Sequence, residues 1–285
     1  MSTLSLKSFD LTDAQFDEIS EMVRELCGIN LHNGKRELVK ARLSKRLRAL
    51  GLTDFQQYMK YVRGDANELI VMLDELSTNL TSFFREPGHF EHLARHVLFR
   101  AARRGDPKPR LRIWSAGCSS GEEPYSVAIA VLEALPDPPA WDVRVLATDI
   151  STRMLEAARN GTYSVKRIES VPGGMRGRYL ECVQARPQRM YRVKDSVRDL
   201  VTFARLNLMG PWPMKGPFDA IFCRNVMIYF DKPTQQRLID RFDDLLAPGG
   251  TLYLGHSESL TGVRHRFQYV QPTVYEKPET GPRKD

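Results

Sequence analysis

The residues best suited to do chemistry in this 285-residue chain lie in one run, Trp114-Ser115-Ala116-Gly117-Cys118-Ser119-Ser120-Gly121-Glu122-Glu123-Pro124-Tyr125-Ser126. Upstream, Leu111, Ile113 and Trp114 read as a buried strand; downstream, Val127, Ala128, Val131, Leu132 and Leu135 recur at helical spacing. A small-residue loop between strand and helix normally offers bare N–H groups and positive dipole to a pyrophosphate. Here Glu122 and Glu123 occupy that end. They suit the helix dipole but repel phosphates, so the pattern fits a ligand that is uncharged at its ribose and cationic elsewhere, as S-adenosylmethionine is. The glycines alone decide little. Gly117 and Gly121 make G-x-x-x-G rather than the six-position dinucleotide fingerprint, and a plain strand–helix turn is the alternative.

A second acid belongs with the first pair. Val143 to Ala147 is β-rich and runs into Thr148-Asp149-Ile150, with a helix-like segment from Ser151 to Arg159 behind it. Asp149 therefore stands at a strand's carboxyl end, where open α/β sheets bind ligands and an acid accepts the ribose hydroxyls. Before a helix a lone aspartate also reads as an N-cap.

The elements that must hold these residues fall into two classes. The first eighty residues read as helices. Thr12 and Gln15 form a capping box ahead of Phe16, Ile19, Val23 and Leu26, and Gly28 stops the helix. Leu43, Leu47 and Leu50 mark a second helix ended by Gly51; Thr53 and Gln56 start a third with Phe55, Tyr58, Met59 and Val62; Leu69, Ile70, Leu73 and Leu76 mark a fourth. Arg103 to Arg110 reads as an exposed joint. Beyond it, strands at 200–204, 218–223 and 251–254, a turn at Pro248-Gly249-Gly250 and a hairpin within 267–275 alternate with helices at 122–135, 151–159 and 234–246. That alternation implies a mainly parallel sheet covered on both faces. Asn160 to Arg198 interrupts it and reads as a small inserted subdomain.

The net charge of +7 is concentrated in two places. Lys35, Arg36, Lys40, Arg42, Lys45, Arg46 and Arg48 face only Glu37, and the 160–198 segment carries nine basic residues against Glu169, Glu181 and Asp195. Such patches imply an acidic partner or a solvated face. No apolar run approaches membrane-spanning length and the first ten residues lack a secretion signal, so a cytoplasmic location is expected. Cys27, Cys118, Cys182 and Cys223 show no C-x-x-C spacing and the six histidines no ligand spacing; structural thiols and no metal are expected.

Two further runs complete a pattern: Asn79-Leu80-Thr81-Ser82-Phe83-Phe84-Arg85-Glu86 and Phe218-Asp219-Ala220-Ile221-Phe222-Cys223-Arg224-Asn225-Val226-Met227-Ile228-Tyr229-Phe230. Together with the glycine loop they make the chain resemble the chemotaxis-receptor glutamate methyltransferases, the CheR family. The resemblance implies an all-α N-terminal receptor-recognition domain (1–85), a connecting helix and linker (86–109), and a Rossmann-like α/β methyltransferase domain (110–285) with an inserted β-subdomain at about 160–198. It implies S-adenosylmethionine as cofactor, S-adenosylhomocysteine as product, and the γ-carboxylate of specific glutamates on the cytoplasmic helical domain of methyl-accepting chemoreceptors as methyl acceptor. By the same resemblance, Asn79, Thr81, Arg85, Glu123, Asp149, Asn207, Leu208, Arg224 and Asn225 are cofactor contacts, and Arg85 and Tyr229 lie beside the reacting groups. Arg42, Lys45, Arg46 and Arg48 would dock on the receptor, the inserted subdomain would take a receptor tethering peptide, and the protein would be a monomer. The 184–188 stretch lacks glycines associated with the peptide-binding members.

Two rivals remain at this level. A nucleic-acid methyltransferase would carry a proline-rich Asn/Asp-Pro-Pro-aromatic turn where this chain has Cys223-Arg224-Asn225-Val226, and an aromatic basic face that is missing here; no nucleic-acid partner is expected. A non-catalytic cofactor sensor would be expected to have lost Arg85 or Tyr229, and both are present.

Overall fold

The computed structural model describes residues 9–77, 79–103 and 105–279, and their contacts divide the chain into two units. The first holds the helices before Asn79 together with Tyr229–Asp231. Its helices are α1 (Asp13–Cys27), α2 (Arg36–Leu50), α3 (Phe55–Gly64) and α4 (Ala66–Leu76). The capping box forms as expected: Gln15 N donates to Thr12 Oγ1 at 3.3 Å while Thr12 N donates to Gln15 Oε1 at 3.0 Å. Gly28 and Gly51 end α1 and α2 in the left-handed region, at φ 78° and 68°.

Two local expectations are corrected. Asp54, not Thr53, caps α3: its carboxylate accepts from Gln57 N at 2.9 Å, and the Thr53 hydroxyl donates to that same side chain. On α4 the buried face is carried by Glu68, Met72, Leu73 and Leu76, leaving Leu69 and Ile70 half-buried. A buried acid has displaced two apolar residues from the packed face, because Glu68 is held there by Arg46 and Tyr58.

The second unit runs over Asn79–Ile228 and resumes at Lys232. It opens with α5 (Gly88–His92), which passes through a π-helical stretch, Leu93–Val97, into α6 (Leu98–Ala102). Phe83, Phe90, Leu93, Val97, Leu98 and Ala101 share one core with Leu111 and Ile113 of the first strand. By its contacts the unit begins at residue 79, and the helix expected within 86–109 packs into the core that holds the sheet.

The elements that follow are β1 (Arg110–Ala116), α7 (Glu122–Ala134), β2 (Asp142–Asp149), α8 (Thr152–Asn160), β3 (Thr162–Ser164), α9 (Gly173–Tyr179), β4 (Leu180–Gln184), β5 (Met190–Val193), α10 (Asp195–Arg198), β6 (Val201–Arg205), β7 (Phe218–Cys223), α11 (Lys232–Leu245), β8 (Leu246–Leu254), β9 (Gln268–Gln271) and β10 (Val274–Glu276). Seven strands form one sheet in the order β6-β2-β1-β7-β8-β10-β9. Its first five are parallel, and the β9/β10 hairpin closes the far edge antiparallel. The expected turn at 248–250 is absorbed into β8 as an irregularity: Phe218 pairs with Leu246, but Ala220 pairs with Thr251. The inserted subdomain is a three-stranded antiparallel sheet, β3-β5-β4, within the expected 160–198.

All four cysteines are free; Cys27, Cys118 and Cys223 are buried and Cys182 is exposed. Burial pushes the Cys27 thiol up to about 11 and those of Cys118 and Cys223 well above the ordinary thiol value. Since the thiolate is the nucleophile, a thiol-reactive chromogen is expected to titrate Cys182 alone in the native protein and all four thiols after denaturation. Rapid native labelling at Cys118 would show that the glycine loop opens.

Candidate active site

Successive strands add to one side from β1 to β2 and β6, and the chain then crosses to β7 on β1's other side. Between β1 and β7 lies the switch point, and ligands of open α/β sheets bind outside the carboxyl ends of the strands there. Four segments leave those ends: 117–121 after β1, Asp149 at the end of β2, Leu206-Asn207 after β6, and Arg224-Asn225 after β7.

The glycine loop is held from below. Gly117 and Cys118 N–H groups donate to Thr148 O at 2.8 and 2.9 Å, and Ser119 N donates to Asp149 Oδ2 at 2.8 Å. Asp149 Oδ1 accepts from Ser151 N at 2.9 Å, so the aspartate ties the loop to the start of α8 as well as standing at the ligand edge. The N-cap reading of Asp149 is corrected, since Ser151 caps α8 by accepting from Met154 N at 3.2 Å; each Asp149 oxygen still has a second lone pair for a ligand. Gly121 sits at φ +94° with Ala158 Cβ 2.9 Å from where its own Cβ would fall, and a Cβ on Gly117 would meet Val226 at 2.5 Å. No other residue fits either position.

Arg224 organises the centre. It is 5% exposed and bridges two carboxylates, Glu123 Oε2 at 3.1 Å and Glu86 Oε2 at 2.8 Å, while also donating to the Arg85 carbonyl. Glu123 further accepts from Ser115 Oγ at 2.7 Å. Burial raises the Glu123 carboxyl above its ordinary value against the pull of Arg224 and Ser115. At Glu86 burial raises and Arg224 lowers, and the balance lies below the ordinary value. Arg85, whose side chain is 35% exposed, donates to Asn225 Oδ1 at 2.8 Å and to Leu80 O at 3.1 Å. Phe84, Glu86, Ser119 and Asn225 all have positive φ, between 48° and 59°. Non-glycine residues in that region cost about 1–3 kcal/mol each and cluster where a site over-determines the backbone.

The expected site residues thus separate. Arg85, Glu123, Arg224 and Asn225 form one connected cluster. Asn79 joins the glycine loop, its carbonyl accepting from Ser119 Oγ at 3.0 Å, with Thr81 half-buried on the same segment. Asn207 and Leu208 follow β6, where Asn207 Oδ1 accepts from Met209 N and the Leu208 carbonyl from Arg241. Tyr229 groups with the helical unit: its carbonyl accepts from Asn30 N at 2.8 Å, and Lys35 Nζ lies 4.8 Å from its ring centre. Glu122 does not face a ligand; it is fully buried, pairs with Arg167 of the inserted subdomain and accepts from Ser120 Oγ.

Of the four basic residues expected to dock a receptor, three have partners within their own unit, Arg48 lying 5.9 Å from the centre of the Phe9 ring. Arg42 caps the end of α4 through the carbonyls of Leu76 and Ser77, both at 2.9 Å, and Arg46 pairs with Glu68. Lys45 and Arg48 are exposed. Sequence reasoning missed Glu86, Ser115 and above all Glu258, whose carboxylate accepts from the N–H groups of Gly255, Asn225, Val226 and Ile228. The only signal for it was the run Gly255-His256-Ser257-Glu258 at a strand end.

The donor chemistry fits a cationic nucleoside. Asp149, Glu123 and Glu86 set three carboxylates at these strand ends against one buried guanidinium, Arg224, a balance that repels pyrophosphate and attracts a sulfonium. Comparison with known proteins agrees. Residues 79–276 match the family model described as "CheR methyltransferase, SAM binding domain", and residues 14–77 match "CheR methyltransferase, all-alpha domain".

The chain belongs to the CheR methyltransferase family.

It is 45% identical over 257 residues to a "Probable chemotaxis protein methyltransferase" of Rhizobium etli, covering 89% of this chain and 96% of that protein. It is 43% identical to "Chemotaxis protein methyltransferase 2" of Pseudomonas aeruginosa (94% and 95% covered) and 41% identical to the "Chemotaxis protein methyltransferase" of Escherichia coli (93% and 91%). As a CheR-family protein the chain is an S-adenosylmethionine-dependent methyltransferase, and S-adenosylmethionine is its cofactor. The two model boundaries meet where the contacts divide the units, at residues 77–79. Among the described residues, no helix is long and apolar enough to cross a membrane.

Proposed function

We propose that this CheR-family protein methylates the γ-carboxylate of specific glutamates on the cytoplasmic helical domain of methyl-accepting chemoreceptors, leaving methyl esters and S-adenosylhomocysteine. The observation that carries the reading is Arg85: a partly exposed guanidinium held beside a cluster in which carboxylates outnumber the one buried guanidinium, Arg224, in a chain related along nearly its whole length to chemotaxis protein methyltransferases. The bound cofactor supplies an electrophilic sulfonium methyl. A glutamate is already anionic at neutral pH, so the chain needs to orient it rather than deprotonate it. Positioning of that kind contributes about 7–11 kcal/mol where reacting atoms are held at near-attack distance.

Arg85 can orient the carboxylate through guanidinium N–H groups. Its bonds to Asn225 and Leu80 O occupy part of the fork, which limits over-tight binding of the ground state. We assign Asn79, Thr81, Glu123, Asp149, Asn207, Leu208, Arg224 and Asn225 to the cofactor, and the Tyr229 phenol to a hydrogen bond on cofactor or carboxylate. The exposed edge strand β4 is where a tethering peptide would add, by backbone pairing.

Incubation with methyl-labelled cofactor and receptor-bearing membranes is expected to yield label that mild base releases as methanol; label surviving mild base would overturn the ester assignment. Docking is tested on the two exposed cations. Lys45→Glu with Arg48→Glu is expected to raise the KM for receptor by about tenfold at low salt, less at high salt, while cofactor affinity is unchanged. An unchanged receptor KM would remove α2 from the docking surface.

A further inference from the structure

We propose that Glu86, His89 and His256 form a binding site for a divalent transition-metal ion of the Zn2+ class, beside the cofactor-binding cluster. One ligand atom from each residue can be chosen so that all three lie within 4.8 Å of one another. His89 Nδ1 is 3.6 Å and His256 Nε2 3.9 Å from Glu86 Oε2. Ligand atoms on a tetrahedral zinc with bonds near 2.1 Å are separated by roughly 3.4 Å, so small side-chain rotations complete the set.

His89 carries the argument because one ring nitrogen has a hydrogen-bonding partner and the other, facing Glu86, has none. The ring is 1% exposed, and its Nε2 lies 2.8 Å from Thr273 Oγ1. The Thr273 hydroxyl has the Pro272 carbonyl at 2.7 Å as an acceptor, which leaves its oxygen to accept from His89 in the tautomer protonated at Nε2. In that tautomer, the one that a metal at Nδ1 requires, Nδ1 presents its lone pair toward Glu86. That nitrogen is buried and has no hydrogen-bond partner, an arrangement that native interiors rarely leave without a purpose. A histidine whose far nitrogen donates to a fixed acceptor while its near nitrogen is open is the arrangement of a metal ligand. The His256 side chain is 63% exposed, giving an ion a route from solvent, and water can fill the fourth position. Arg224, 2.8 Å from Glu86 Oε2, competes for the same carboxylate, which weakens the site without closing it, since Glu123 offers the guanidinium a second partner. Linear spacing could not show the site, because Glu86 and His89 come from one loop-to-helix segment and His256 from the end of β8.

The test uses full-length, untagged protein carrying Cys182→Ser, which removes the exposed thiol as a rival ligand. Zn2+ competition with a chromogenic chelator is expected to report one site, and Co2+ substitution to give visible d–d absorption. His256→Ala, at an exposed position, is expected to weaken Zn2+ by about 100-fold or more, as loss of a direct ligand should exceed loss of its supporting bonds. His96→Ala, at another exposed histidine, is expected to change nothing. Unchanged affinity in His256→Ala, an equal loss in His96→Ala, or a Kd above about 1 mM in the parent protein would overturn the proposal.

Discussion

Glu258→Ala is expected to destabilise the α/β unit by at least about 3 kcal/mol, which for a unit of this size lowers Tm by roughly 6–12 °C. The carboxylate is 7% exposed and accepts four backbone N–H groups, from Gly255 at 2.6 Å, Asn225 at 2.7 Å, Val226 at 2.9 Å and Ile228 at 3.2 Å. Bonds to a charged acceptor contribute about 1.5–3 kcal/mol each, but four on one side chain are not additive, and water refilling the space recovers part of the loss. Alanine leaves the donors without an acceptor and also frees Asn225, held at φ +59°, to relax. Because Asn225 anchors Arg85, cofactor affinity and methyl transfer are expected to fall together with stability. Glu258→Gln separates charge from shape. Its single carbonyl oxygen serves two donors while its amide opposes the other two, so little rescue is expected. Calorimetry showing Glu258→Gln within about 1 kcal/mol of the parent would mean that the residue merely fills space.

How much of this was legible in the sequence depends on the range over which each feature is determined. Strands and helices of the α/β unit were readable because their apolar residues repeat within a few positions, and Asp149 because its strand ends beside the glycine loop. The glycine loop itself was readable, yet the roles of its two acids were not. Glu122 turns to Arg167 and Glu123 to Arg224, partners contributed by segments that adjacent residues do not reveal. The same holds for residues 79–102, whose sequence reads partly as helical domain and partly as connecting helix and linker. Their apolar residues are spread over a strained loop and a helix interrupted by a π-turn, so no single period marks them, and only the assembled core shows that they belong to the sheet. Glu258 was invisible for the most general reason: its partners are backbone groups, and backbone groups carry no residue signature.

The basic helix shows the opposite failure, a signal read too uniformly, and its consequence is the other large effect expected. Arg46→Met is expected to cost about 3–5 kcal/mol, the range for removing one member of a buried ion pair. Arg46 Nε and Nη2 donate to the two oxygens of Glu68 at 2.7 and 2.5 Å, and the Glu68 side chain is 2% exposed. Tyr58 adds a bond to Glu68 Oε1 at 3.1 Å; burial first, then Glu68, raises its phenol, so it remains a donor. Methionine keeps most of the apolar stem and removes the fork, so the loss measures the stranded carboxylate rather than lost packing. Adding Glu68→Gln removes the stranded charge while leaving Tyr58 an acceptor, and the double variant is expected to recover more than half of the deficit. Equal instability of single and double variants would place the cost in packing instead. Either way, alanine substitution of all four basic residues would confound a damaged bundle with a lost docking face. Lys45 and Arg48 can be reversed in charge without disturbing that pair, and they are where receptor recognition by α2 should be measured.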